Sequence, residues 1–353
     1  CKFLAVFAFG DSNTDTGGIF AAFYPAIPPY GRTFFNRPAG RASDGRLIID
    51  FIAEHLGVPY LSPYLDSLGS TYKHGANFAT GGATILHPDE SWFVNGVSPF
   101  SLDIQVEHFT QFKNKITYFH STGATGNGRL MKPGYFSEAL FVLDIGQNDL
   151  AAGQRKLSLE NQKQAIPNII SQLITQIQNL YERGGRYFWV HNTGPIGCLP
   201  VSVAKVGSAE KQQPGTLDEV GCVKSQNEVA MEFNRQLRDE IYNLRRGSNL
   251  SIVYVDIYGA KYELVRKARE LGLGDPFGIC CGYHGIGYDI WCGNSGALNG
   301  SQVYADSCSD PSAVISWDGV HYSEAANRWI SNQIINGSFS DPPTSIHDSC
   351  HAQ

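Results

Sequence analysis

Four short stretches of this 353-residue chain carry residue types that could work together in acyl transfer. Phe9-Gly10-Asp11-Ser12-Asn13 offers a serine in a glycine-flanked turn, and Asn77-Phe78-Ala79-Thr80-Gly81-Gly82 a glycine-rich bend. Asp144-Ile145-Gly146-Gln147-Asn148-Asp149 offers a side-chain amide, and Trp317-Asp318-Gly319-Val320-His321 an Asp and a His three apart. Chemistry through a covalent acyl intermediate needs a nucleophile, a base, a group that orients the base, and donors for the oxyanion. On position alone Ser12 fits a helix cap better than a nucleophile; the other three stretches turn the reading to the nucleophile. His321 fits the base. Of ten histidines, only His321 and His351 follow an Asp by three residues. Asp348–His351 sits at the C-terminus, a poor place for a precise site. Asp318 would hold the imidazole through Nδ1 and stabilise its charged form. Gly82 offers an N–H with no Cβ in the way. Asn148 offers a donor that does not titrate. With the Ser12 N–H they would form the oxyanion hole. Asp11, Asp15 and Asp149 read as capping or supporting groups.

Strands and helices alternate around these stretches. Ala5–Phe9 and Ala139–Ile145 read as buried strands, with shorter ones near Ala76–Ala79, Tyr187–His191 and Ser251–Val255. Apolar residues Ile166, Ile169, Ile170, Leu173, Ile174, Ile177, Leu180 and Tyr181 share one helical face. A second stripe runs Leu102, Val106, Phe109, Phe112, Ile116, Phe119 behind Ser101, and a third Val229, Phe233, Leu237, Ile241, Leu244. Ser43 is placed to cap a helix ending near Leu56, and Ser323 to cap the last one. This order predicts an α/β protein: a mostly parallel sheet of about five strands with helices on both faces. Such sheets place active sites beyond the carboxyl ends of their strands, where the four stretches fall. We expect one domain over residues 1–353, with residues 272–311, holding four cysteines, as a disulfide-rich loop insertion.

The net charge of −6 and the lack of a basic run argue against nucleic acid as a partner. No apolar run approaches the ~18 residues of a membrane helix, so no stable membrane insertion is expected. Scattered histidines predict no metal site, no phosphate loop is present, and no cofactor is expected. Eight cysteines without C-x-x-C spacing, and sequons at Asn249, Asn299 and Asn336, favour a secreted glycoprotein. Cys1 and Cys350 make an attractive pair because domain termini often meet. Any signal peptide would have been removed ahead of Cys1. Nothing in the sequence fixes an oligomeric state.

The four blocks, in order and spacing, resemble those of the GDSL (SGNH) hydrolase family. Asn192-Thr193-Gly194-Pro195-Ile196-Gly197-Cys198-Leu199-Pro200 is similar to a segment of its plant-type branch. The first block has Asn13 where the family name has Leu. The resemblance covers about Phe7 to Asn336. It implies a three-layer α/β/α, flavodoxin-like fold. It also implies a serine esterase with Ser12, Asp318 and His321 as triad and Ser12, Gly82 and Asn148 as oxyanion hole. Expected substrates are small-molecule or glycan esters, with acetyl or other short acyl groups, in the apoplast or a vacuole. An acyltransferase, a longer-chain lipase and a non-catalytic defence or binding protein remain alternatives. Some plant relatives carry glycosidase labels, but that chemistry needs two flanking carboxylates. Phe20, Phe23, Tyr24, Trp92 and Phe93 are candidates for the mouth of the site or for loop packing.

Overall fold

A computed structural model describes residues 1–88, 98–124, 128–247 and 250–351. The chain opens with β1 (Ala5–Gly10), α1 (Gly18–Ala22), α2 (Ile48–His55) and β2 (Gly75–Asn77). Next come α3 (Leu102–Ser121), β3 (Ala139–Asp144), α4 (Gln147–Lys156), α5 (Leu159–Glu182) and β4 (Tyr187–His191). Short helices α6 (Pro200–Ala204) and α7 (Ser208–Lys211) precede α8 (Lys224–Gly247), β5 (Ser251–Val255) and α9 (Ile257–Arg266). Strands β6 (Gly282–Gly285), β7 (Tyr288–Trp291), β8 (Ser295–Leu298) and β9 (Ser301–Tyr304) follow. The last elements are α10 (Glu324–Ile335) and β10 (Ser340–Asp341).

The main sheet has six strands in the order β10-β5-β4-β3-β1-β2. The first five in sequence pair in parallel, as expected, and the two-residue β10 joins antiparallel beside β5. Residues alternate between the two faces, so each strand feeds two cores. Phe7, Phe9, Phe141, Leu143, Phe188 and Ile252 point to the helices α3, α5 and α8. Val6, Ala8, Leu140, Val142, Trp189 and Val253 point to α2, α9 and α10. The result is a three-layer sandwich.

The expected stripes of α5 and α8 face the first core, although Tyr181 and Leu244 are only partly buried there. In α3 the stripe is buried through Ile116, but Phe119 is 36% exposed in the last turn, where the helix leaves the sheet. Ser323 caps α10 by accepting from Ala326 N. Ser43 does not cap α2. That helix starts at Ile48, and Ser43 Oγ donates to Tyr322 O at 2.9 Å. Ser101 stands at the cap position of α3 but makes no cap bond, because its hydroxyl donates to Asp103.

The chain turns from one side of β1 to the other between β2 and β3, a topological switch point at which α/β sheets bind ligands. There the backbones of β1 and β3 come close. A Cβ on Gly10 would lie 2.2 Å from Asp144 O, and Gly10 has φ +154°. The buried Gln105 amide clamps the same residue, accepting from Gly10 N and donating to Gly10 O, both at 2.9 Å. Residues 272–311 are more regular than expected. They fold into the hairpins β6–β7 and β8–β9, tied by Cys280–Cys308 and Cys281–Cys292. Cys198–Cys222 and Cys1–Cys350 are the other two disulfides, the latter joining the termini. Among the described residues no helix is long and apolar enough to cross a membrane.

Gly10→Ala should lower stability by ~2 kcal/mol or more in urea unfolding, because the clash is with backbone and cannot be relieved by a rotamer change. An unchanged midpoint would mean that β1 and β3 can separate freely.

Candidate active site

The chain leaves β1 through a tight turn in which Thr14 N and Asp15 N both donate to Asp11 O. Ser12 sits half-buried on this turn. It is not the cap of α1. Asp15 does that work, accepting from Gly17 N, Gly18 N and Ile19 N. The Ser12 hydroxyl is thereby left for another partner, His321 Nε2, at 2.8 Å.

His321 arrives from the turn before α10. Its Nδ1 donates to Asp318 Oδ2 at 2.7 Å, which leaves Nε2 free to accept from Ser12. Asp318 is fully buried, and its other oxygen accepts from Val320 N (3.1 Å) and His321 N (2.8 Å). Trp317 N donates to His321 O, which closes the turn. Burial disfavours the charged ring of His321, yet the charge and hydrogen bond of Asp318 outweigh it, with Asp11 adding and Lys261 opposing. His321 is therefore raised above its ordinary 6.5. Burial also works against the Asp318 carboxylate, but the imidazole and the two amides keep it low.

Gly82 is buried in a turn with φ +76°. Two carboxylates hold this turn from its two ends. Asp15 accepts from Gly81 N at 2.7 Å, and Asp149 from Ile85 N and Leu86 N at 2.8 and 3.0 Å. Among the described residues, neither the Ser12 N–H nor the Gly82 N–H has an acceptor. Both donors are thus unspent. The Asn148 amide, in the first turn of α4, donates to Ala83 O at 3.0 Å and to Asp11 Oδ2 at 3.3 Å.

Beneath Ser12 lies a buried charged group that sequence reading missed. Asp144 meets His191 Nδ1 at 3.2 Å, and the buried Lys261 stands over the Tyr322 ring at 4.6 Å. Burial and the nearby Asp144 push Asp11 up to about 6, and burial pushes Asp149 up to about 7. Tyr30 was also missed: its hydroxyl donates to Asp318 Oδ2 at 3.0 Å. Behind the acid, His284 Nε2 donates to Asp318 O at 3.0 Å while Nδ1 pairs with Asp289 at 2.7 Å. Asp11, Asp144 and Asp149 belong to the four blocks, whereas Tyr30, His191, Lys261, His284 and Asp289 come from other parts of the chain and share no local spacing with them.

The rival pair is separated: Asp348 bonds Ser345 Oγ at 2.6 Å, and His351 is exposed. Asn299 and Asn336 are exposed; Asn249, Trp92 and Phe93 lie outside the described residues. Phe23 and Tyr24 are exposed and Phe20 is half-buried. Among the described residues, the only grouping within metal-ligand reach is Cys1, Cys350 and His351, and its two sulfurs are joined in a disulfide.

The sequence profile described as GDSL-like lipase/acylhydrolase matches residues 6–334. A GDSL esterase/lipase of Arabidopsis thaliana is 51% identical over 100% of this chain and 91% of its own length. An esterase of Hevea brasiliensis is 45% identical over 99% of this chain and 90% of its own. Alpha-L-fucosidase 3 of Arabidopsis thaliana is 45% identical over 96% of this chain and 91% of its own.

A base must be neutral to take a proton, and His321 is raised, so ester hydrolysis should fail on the acid side through a midpoint above 6.5. A kcat/KM profile on p-nitrophenyl acetate that stays flat from about pH 4 to 8 would remove His321 as the base.

Proposed function

The chain belongs to the GDSL-like lipase/acylhydrolase family and is thus a carboxylic-ester hydrolase, and from that premise we propose a serine mechanism centred on Ser12, Asp318 and His321. Ser12 Oγ attacks the ester carbonyl as His321 Nε2 takes its proton. Asp318 keeps Nδ1 protonated and stabilises the resulting imidazolium. The oxyanion is held by the N–H groups of Ser12 and Gly82 and by Asn148 Nδ2, which gives up its longer bond to Asp11. The imidazolium then protonates the leaving alcohol. Water, activated by the same nitrogen, cleaves the acyl-enzyme and restores Ser12.

The observation that carries this reading is the 2.8 Å Ser12–His321 contact, made by an imidazole whose other nitrogen is held by Asp318 at 2.7 Å. All members of such a site are present, which speaks against a non-catalytic binding protein. A fucosidase relative raises glycoside hydrolysis as a second reading. That chemistry needs two carboxylates that reach the substrate, about 5–9.5 Å apart. Asp318 and Asp11 are 0% and 1% exposed, and Asp318 is occupied by His321, so ester hydrolysis is favoured.

The substrate class we propose is an acetyl or other short-chain ester of a plant metabolite or glycan. Aromatic surface supports it: Phe23 and Tyr24 are 40% and 44% exposed while packing on Phe100 and Phe20, and Tyr24 lies close enough to Asp15 to feel its charge. Residues 1–353 would act as one SGNH-hydrolase unit carrying the insertion at 272–311. Four disulfides and the sequons at Asn249, Asn299 and Asn336 support secretion of a glycosylated chain.

Initial rates on p-nitrophenyl esters from acetate to palmitate test the proposal. Ser12→Ala should lose ~10⁴-fold or more in kcat, and Asn148→Ala ~10²–10³-fold. The preferred chain length separates a short-acyl esterase from a lipase. Ester formation with an added alcohol would move the assignment to acyl transfer, and full activity in Ser12→Ala would refute the nucleophile.

A further inference from the structure

Asp318 Oδ2 carries two donors, and one of them comes from far outside the four blocks. His321 Nδ1 donates at 2.7 Å, and the Tyr30 hydroxyl, 288 residues away in sequence, donates at 3.0 Å. We propose that Tyr30 is a positioning residue that sets how strongly Asp318 holds the His321 imidazole, a proposal that rests on the serine mechanism above.

The phenol is fixed in place. Its ring stands edge-on to Trp317, with centroids 6.0 Å apart at 68°. The backbone beside it is anchored by Tyr30 N to Ile27 O and Gly31 N to Ser43 O. Burial and the neighbouring Asp318 charge hold the phenol well above its ordinary range, so it stays a donor wherever the enzyme works. The other carboxylate oxygen is filled by the amides of Val320 and His321. Tyr30 is therefore the one side chain, among the described residues, that shares the Asp318 carboxylate with the base.

The consequence follows from sharing. A hydrogen bond to a carboxylate stabilises its charge and reduces its pull on a neighbouring proton. With Tyr30 in place, Asp318 orients His321 without holding its imidazolium as tightly as a carboxylate lacking that bond. The base thus returns its proton to the leaving group more readily. The other charged or titratable groups that face the pair are Asp11 at the end of β1, Lys261 on α9, and His284 on β6, which bonds the Asp318 carbonyl. Tyr24 stands near Tyr30. Tyr30→Phe changes none of these and keeps the ring.

The test follows His321 in two ways: the acid limb of kcat/KM, and the NMR titration of the labelled imidazole with its downfield Nδ1 proton. In Tyr30→Phe both midpoints should move up together by about half a pH unit or more, with a several-fold lower plateau kcat. A ring-fluorinated tyrosine at position 30, a stronger donor, should move both down, which a purely structural role would not produce. It also serves if Tyr30→Phe fails to fold. Midpoints superimposable on wild type in whichever variants fold would overturn the proposal. Because the NMR titration needs no turnover, it tests Tyr30 even if Ser12→Ala refutes the serine mechanism.

Discussion

The site depends on one close backbone approach, that of β1 to β3 at Gly10. No side chain fits between Gly10 and the Asp144 carbonyl, so the two strands meet at the point where the chain switches sides of the sheet. Asp11 N then donates to Asp144 O, and the turn that carries Ser12 begins there. The same contact brings the end of β3 alongside, and with it Gly146 and the first turn of α4. Asn148 meets Asp11 for this reason. Gln105 reaches down from α3 to hold both polar groups of Gly10, which couples the strand end to the helical layer.

Buried carboxylates do much of the remaining positioning, and they fall into two kinds. Asp15, Asp44 and Asp149 accept mainly from neutral backbone or hydroxyl donors. For each, burial outweighs those bonds and raises it above the ordinary carboxylate range. Asp318 is just as buried but is lowered, because it faces a group that can carry positive charge. The same desolvation thus has opposite net results according to the partner. The neutral-partner carboxylates fix loops, whereas Asp318 is matched to an imidazole that can take up a positive charge.

What could be read in the sequence tracks how local each interaction is. The Asp318–His321 pair lies within one turn; its spacing is shared only with Asp348–His351, and the place of that rival at the C-terminus singles it out. The parallel sheet was legible because its strands are continuous apolar runs, and the stripe of α5 because it keeps a helical period over many residues. The Ser43 cap was misread because serine serves equally to bond a distant carbonyl, here Tyr322 O. Two-residue β10 is too short to leave a pattern. Tyr30, Gln105 and Lys261 meet their partners across the fold, and no periodicity marks them. For Ser12, position alone favoured a cap, but the cap bonds of α1 go to Asp15 instead.

The disulfide-tied segment 272–311 bears on the same pair from behind. Cys280 N and Cys281 N donate to Ser316 O and Trp317 O, so the disulfide-bearing segment lies along the backbone just ahead of Asp318. Trp317 shares a small core with Cys280, Cys281 and Cys292, and Tyr30 packs on that core from the other side. His284 fills the space over Gly319, where an added Cβ would come within 2.9 Å of its ring. A five-residue turn has little packing of its own with which to hold a base to within a fraction of an ångström. Here its rigidity is borrowed from two segments far apart in sequence, the hairpins clamped by Cys280–Cys308 and Cys281–Cys292 and the loop carrying Tyr30. Crosslinks near such a turn limit the states available to it as well as to the unfolded chain. Placing four half-cystines in residues 272–311, rather than along the main sheet, puts that restraint where the large helical cores do not reach.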